Sequence, residues 1–185
     1  SFTVRTLLHG LRGGHLTGFA QARVLRVPAG ADAGVIGEAL TATAAAHPMF
    51  SAHLDDGALQ VPSPTGTPIP LEVVALTAES GTAAETQERI LALARDAAQG
   101  IDPARGPLLR AVLVRGLPAE SDADALIVVA HHLAVDGVSW RILTEDLRTA
   151  YDQASAARAA RIPAEGTSFR EWARTLGERA GSAEI

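Results

Sequence analysis

Residues 125–153, ALIVVAHHLAVDGVSWRILTEDLRTAYDQ, decide how this chain is read. Ala125 to Ala130 is an apolar, β-branched run of the length expected for a strand covered on both faces. His131 and His132 end it, and Asp136-Gly137 marks a turn. Beyond the turn, Trp140, Leu143, Leu147 and Tyr151 recur at helical spacing, with Arg141, Glu145, Asp146 and Arg148 assigned to the opposite, solvent side. The pattern predicts strand, tight turn, then a helix over Ser139–Gln153. Side chains alternate along a strand, so the two histidines point to opposite faces and at most one enters a given cleft. Polar residues at the carboxyl end of a buried strand are where α/β proteins tend to hold chemistry, because the strand fixes them at a cleft mouth.

Each of these residues also has a plainer reading. A histidine at a strand end is often no more than a hydrogen-bonded core or rim residue. Asp136 suits a helix cap or a turn, Gly137 a backbone with positive φ, and Trp140 a core position as readily as a site wall. A metal site is not expected: adjacent strand histidines diverge, and no further Cys or His lies nearby to complete a tetrahedral set.

The run His131-His132-Leu133-Ala134-Val135-Asp136-Gly137 resembles the HHxxxDG signature of the condensation superfamily of nonribosomal peptide synthetases, whose lobes resemble chloramphenicol acetyltransferase. Val138-Ser139-Trp140-Arg141-Ile142-Leu143 is similar to the form of the motif in epimerization domains, where Ser-Trp-x-Ile-Leu follows the glycine. Ile101-Asp102 through Gly106-Pro107-Leu108-Leu109-Arg110 and Thr167-Ser168-Phe169-Arg170-Glu171-Trp172-Ala173 resemble two further family blocks. Phe19-Ala20-Gln21-Ala22 is a partial match to a Phe-Asn-Gln-Ser segment, as is Phe2-Thr3 to an opening Leu-Thr-Pro-x-Gln. His47 to Leu54 sits where the family shows His-x-x-Leu-Arg-x-x-Phe, with Ser51 in place of the arginine.

The resemblance implies an α/β (α+β sandwich) fold, a chloramphenicol-acetyltransferase-like lobe with a mixed sheet flanked by helices. It implies that residues 1–185 are a single amino-terminal lobe, the carboxyl-terminal lobe being absent, and that such a lobe alone is inactive. His132 is the implied catalytic residue, with His131 facing inward to support it and Asp136 and Gly137 completing the motif. Ser139 and Trp140 are candidates to line the site, and Arg110 is the candidate partner of Asp136. The implied activity is epimerization, in which His132 moves the α-proton of an L-aminoacyl or peptidyl thioester; the alternatives are peptide-bond formation between carrier-bound substrates and a non-catalytic docking module. The lobe is expected to bind no cofactor of its own, the phosphopantetheine arm arriving on a peptidyl carrier protein. Adjacent synthetase domains and the second lobe are the other expected partners.

Composition agrees. At 185 residues and 47% hydrophobic content the chain can bury a core. A net charge of −5 argues against nucleic acid and anionic membranes as partners. The absence of cysteine excludes disulfides and thiolate chemistry and suits a reducing compartment. With no apolar leader and no 18-residue apolar run, the expected location is the cytoplasm.

Further elements follow from local signals. Helices are expected over Asp32–Ala46, Thr82–Ala98 and Ser168–Ala180, the second with Ile90, Leu91, Leu93 and Ala94 facing inward, the last opening on a Ser168/Glu171 capping box. A short helix is also possible over Thr3–Leu11. Strands are expected over Phe19–Val27, Phe50–Leu54, Ala58–Val61, Leu71–Leu76 and Leu108–Val114, with a turn at Asp55-Asp56-Gly57. His47 and His53 are assigned to loop and strand surface.

Overall fold

The computed structural model describes residues 16, 18–63, 66–76, 82–117, 122–164 and 166–181. The helix considered for Thr3–Leu11 lies outside them. The architecture follows the alternation already visible in the central strand. Strands β1 (Ala20–Pro28), β4 (Leu71–Ala75), β5 (Leu109–Arg115) and β6 (Ala123–His131) form one sheet in the order β1-β6-β5-β4. β6 runs antiparallel to both of its neighbours, whereas β4 and β5 are parallel, so the sheet is mixed. Strands β2 (His53–Asp55) and β3 (Ala58–Gln60) make a separate hairpin. Its two-residue turn, Asp56-Gly57, holds φ of 46° and 77°, the left-handed geometry that closes tight hairpins.

Among the described residues, four helices complete the fold: α1 (Ala33–Ala46), α2 (Ala83–Gln99), α3 (Ser139–Ser155) and α4 (Phe169–Gly181). Every residue of β6 is buried because helices cover both sheet faces. Leu126, Val128 and Ala130 pack with Leu109, Ala111 and Leu113 against Ile36 and Leu40 of α1 and Trp140, Leu143 and Leu147 of α3. The intervening Ala125, Ile127 and Val129 pack with Val112 and Val114 against Leu93 and Ala97 of α2. A period of two in the strand thus feeds two cores. Pro28 ends β1, an edge strand, where its missing N–H costs no ladder bond.

The helix starts are set by side chains. Asp32 accepts the N–H groups of Gly34 and Val35 at 2.6 and 3.1 Å. Thr82 and Glu85 form a reciprocal capping box at the head of α2. At α4 half of the expected box is made, Glu171 N donating to Ser168 Oγ at 3.2 Å.

Three local expectations are corrected. The strand expected over Phe50–Leu54 begins at His53; Pro48–Ser51 is a 3₁₀ turn that buries Met49 and Phe50, Pro48 supplying the fixed φ of a helical first position. Leu91 is half exposed, since the buried positions of α2 run Thr86, Leu93, Ala97 and Leu91 falls outside that row. Asp146 is not on the open side of α3 with Arg141, Glu145 and Arg148; it turns toward His47.

Candidate functional site

β6 carries the two histidines out of the sheet, and alternation separates them as expected. His131 is fully buried. Its Nε2 donates to the Leu16 carbonyl at 3.0 Å, and its Nδ1 accepts the Leu133 N–H at 3.2 Å, which fixes the neutral ring with the proton on Nε2. Burial pushes its pKa below the ordinary histidine value; the bond to Leu16 opposes this and the neighbouring His132 adds to it. His131 is therefore an anchor for the loop that leads into β1.

His132, half-buried, is held differently. Its Nδ1 lies 2.7 Å from the Val135 carbonyl, an acceptor only, so Nδ1 carries the proton and Nε2 presents its lone pair. Phe19 stacks on the ring at 4.9 Å between centroids and 19° between planes. Gln21 approaches Nε2 through its amide nitrogen at 3.1 Å, while its Oε1 accepts the indole N–H of Trp140 at 2.6 Å. The donor-only indole decides which end of the amide is oxygen. Arg23 lies over the Trp140 ring, its guanidinium carbon 5.9 Å from the centroid. What the arrangement can do chemically is accept a proton at a positioned nitrogen on the mouth of a buried strand.

The rest of the motif builds the turn. Asp136 Oδ1 accepts the N–H of Val138 at 3.0 Å, the N–H of Ser139 at 2.8 Å and the hydroxyl of Ser139 at 2.6 Å, satisfying donors at the start of α3. These bonds, the Ser139 hydroxyl foremost, hold its carboxyl below the usual aspartate range. The structure does not bring Arg110 and Asp136 together as expected. Arg110 Nη1 donates to the Gly100 carbonyl at 2.8 Å, closing the carboxyl end of α2, and Asp136 is filled by its own turn. Gly137 has no positive φ, and a Cβ there would meet nothing within 4 Å, so neither conformation nor internal packing calls for glycine. Trp140 is core, 3% exposed, with its N–H turned to the site.

Two participants were missed by sequence reasoning. Gln21 was visible only as part of an incomplete motif match, 111 positions from His132. His47, assigned to a loop surface, lies 2.7 Å from Asp146 and edge-on to Phe50. That pair lines a cavity of about 520 Å³ with Met49, Val135, Ser139 and Ile142. Among the described residues there is no group of three or more His, Cys, Asp or Glu placed to hold a metal ion, and no helix long and apolar enough to cross a membrane.

Residues 4–185 match the family described as the condensation domain. The chain belongs to the condensation-domain family. Its sequence is 42% identical over 102 residues to tyrocidine synthase 2 of Brevibacillus parabrevis, covering 55% of this chain and 3% of that protein. It is 44% identical over 80 residues to tyrocidine synthase 1 of the same organism, covering 43% of this chain and 7% of that one. The epimerization domain from the third module of tyrocidine synthetase B has the same fold, with a TM-score of 0.83 and 30% identity over 98% of this chain. The chain spans 40% of that solved condensation-family structure. A condensation-family fold is also shared with the X-domain from teicoplanin biosynthesis, at a TM-score of 0.73 and 23% identity over 98% of this chain and 39% of that one. The mixed sheet flanked by helices and the family read from the HHxxxDG run are thereby established.

Proposed function

We propose that this condensation-domain chain is the amino-terminal catalytic lobe of an epimerization domain of a nonribosomal peptide synthetase. The observation that supports the reading is the His132 ring, whose Nδ1–H is committed to Val135 and whose Nε2 lone pair is held at the strand end. The 30% identity to a solved epimerization domain and the Ser139-Trp140 form of the motif favour this branch.

In this reading an L-aminoacyl or peptidyl group arrives as a thioester on the phosphopantetheine arm of a peptidyl carrier protein, which supplies that arm as part of the substrate. His132 Nε2 takes the α-proton, and the C–H electron pair moves into the thioester carbonyl as an enolate. Return of a proton to the opposite face of Cα gives the D-isomer and restores the carbonyl. The second proton donor belongs to a carboxyl-terminal lobe, which the resemblance assigns a glutamate; the substrate walls and the exclusion of water also require that lobe. The space beside Gly137 is where the arm can pass close to the backbone. Adjacent synthetase domains and the carrier are the partners in this scheme, and the reducing cytoplasm its setting.

A second reading, condensation, draws on the family as a whole: the same Nε2 can orient an acceptor amine attacking a donor thioester. One experiment separates them. The chain is joined to a family carboxyl-terminal lobe and given a carrier-bound L-aminoacyl or peptidyl thioester in deuterated water. Deuterium at Cα with formation of D-isomer, lost in His132→Ala, is the expected result. Amide formation on adding an acceptor carrier, without exchange, moves the assignment to condensation, and neither reaction leaves a docking module.

A further inference from the structure

We infer that Gln21, pinned by the indole of Trp140, is a positioning residue that selects the tautomer of His132 with the proton on Nδ1 and leaves Nε2 as its acceptor nitrogen. The donors and acceptors around the ring leave one consistent assignment. Trp140 Nε1–H can only donate, and at 2.6 Å it claims Gln21 Oε1. The other end of that amide, a donor, is left facing His132 Nε2 at 3.1 Å. Val135 O, an acceptor only, takes the Nδ1 proton at 2.7 Å. A neutral ring protonated on Nδ1 satisfies every one of these groups. An imidazolium does not, because its Nε2–H would point at an N–H donor, and the amide cannot rotate to offer oxygen without abandoning the indole.

The backbone makes the pin rigid. Gln21 lies on β1 directly across from Ala130 of β6, one residue before the histidine pair, and Trp140 is 3% exposed in the first turn of α3. The two elements are fixed by the ladder and by the core, so the distance between Gln21 and His132 is not a property of loops. Among the described residues, the charged and titratable groups near the ring are His131 and Asp136, each electrostatically coupled to His132, and Arg23 across the Trp140 face. The function as a base rests on the proton-transfer reading above; the choice of nitrogen does not, and is measurable without substrate.

The test is ¹⁵N-detected NMR of the histidine rings in the 185-residue chain, with His132 identified by the signal lost in His132→Gln. In the parent protein the neutral ring is expected with Nδ1 protonated and Nε2 bare. Gln21→Glu replaces the amide donor by a carboxylate acceptor and is expected to move the His132 titration upward by about 1–3 pH units. Trp140→Phe frees the amide to turn its oxygen toward the ring and is expected to move it the same way, though less. Gln21→Glu leaves the core intact, so it carries the test even where Trp140→Phe loosens the fold. A parent ring protonated on Nε2, or a titration that Gln21→Glu leaves in place, overturns the inference. In the two-lobe enzyme, Gln21→Leu removes the donor that opposes a proton on Nε2 and is expected to move the acid limb of the kcat profile to higher pH with KM little changed. Absence of any epimerization there, with the NMR result as expected, counts against the functional reading and leaves the role of Gln21 standing.

Discussion

His47 Nε2 and Asp146 Oδ2 meet at 2.7 Å, joining the end of α1 to the middle of α3 across 99 positions of sequence. Both side chains are largely withdrawn from water, at 15% and 22% exposure. Helix α3 carries the HHxxxDG turn at its amino end, so this contact fixes the element on which the turn is mounted. It also forms part of the wall of the cavity that reaches Val135, whose carbonyl holds the His132 proton.

A charge-assisted hydrogen bond so placed contributes more than a surface pair. Asp146→Ala is expected to lower unfolding free energy by about 1.5–3 kcal/mol in urea titrations. His47→Ala combined with it should cost clearly less than the sum of the two single changes, since each removes the same bond. Strict additivity would show that the contact stores no coupling.

Asp136 separates structural from chemical roles. Three bonds from Val138 and Ser139 reach one carboxylate oxygen, and they hold its pKa low in the folded chain. A depressed folded value means that its stabilisation is complete above the unfolded value and disappears as pH falls through the folded one. Asp136→Ala is expected to cost about 0.5–2 kcal/mol near neutrality, as loss of a helix cap does. Its difference from the parent should shrink once pH drops below about 4. A variant of unchanged stability that is inactive in the two-lobe enzyme would assign Asp136 to the chemistry instead.

At Gly137 the expectation is the reverse. No positive φ and no neighbour within 4 Å demand glycine there. Gly137→Ala should therefore leave stability within about 0.5 kcal/mol while slowing α-proton exchange in the two-lobe enzyme, because the added methyl enters the space through which the proposed function passes the thioester arm. Full activity in that variant would remove the arm from this side of the turn.

The central strand and helix were legible because their patterns are local. Ile127 and Val128 belong to different cores, yet both are apolar, and a short apolar run rich in β-branched residues has the length and composition of a strand covered on both faces. The separation of His131 from His132 came from the same alternation. Partners from distant segments were not legible. Helical spacing places Asp146 three residues from Leu143, on the flank of the buried stripe, and periodicity cannot say whether a flank meets solvent or His47. Nor could spacing show that Gln21 and Trp140, each noticed in a separate motif, share one hydrogen bond. The Arg110 expectation failed for a related reason: a resemblance supplies a partner type, and the nearest arginine in a matching block was already engaged with Gly100.

That engagement makes its own prediction. Gly100 has φ −75° and ψ −6°, which alanine adopts readily, and helix propensity alone would favour alanine. A Cβ at this position, however, would run into the Arg110 guanidinium that caps the helix carbonyl. Gly100→Ala is expected to destabilise the parent by about 1 kcal/mol and to be neutral or stabilising when Arg110 is first changed to alanine. The thermal midpoints of the four proteins in this cycle give the answer directly; a loss that persists without Arg110 would locate the conflict in the backbone.

His131 should leave its mark on the acid side of the stability curve. Burial lowers its folded pKa below the unfolded value of about 6.5, so the unfolded chain binds the proton more readily. Protons therefore favour unfolding, and stability is full above the unfolded value and declines as pH falls through it toward the lower folded one. Protonation would also require Nδ1 to give up the Leu133 N–H that it accepts at 3.2 Å. Between about pH 7.5 and about pH 5.5, the parent should lose more unfolding free energy than His131→Gln, which keeps hydrogen-bonding capacity but does not titrate in that range. Parallel curves would mean that His131 takes up its proton as easily in the folded chain as in the unfolded one, and that its bond to Leu16, not its burial, governs the ring.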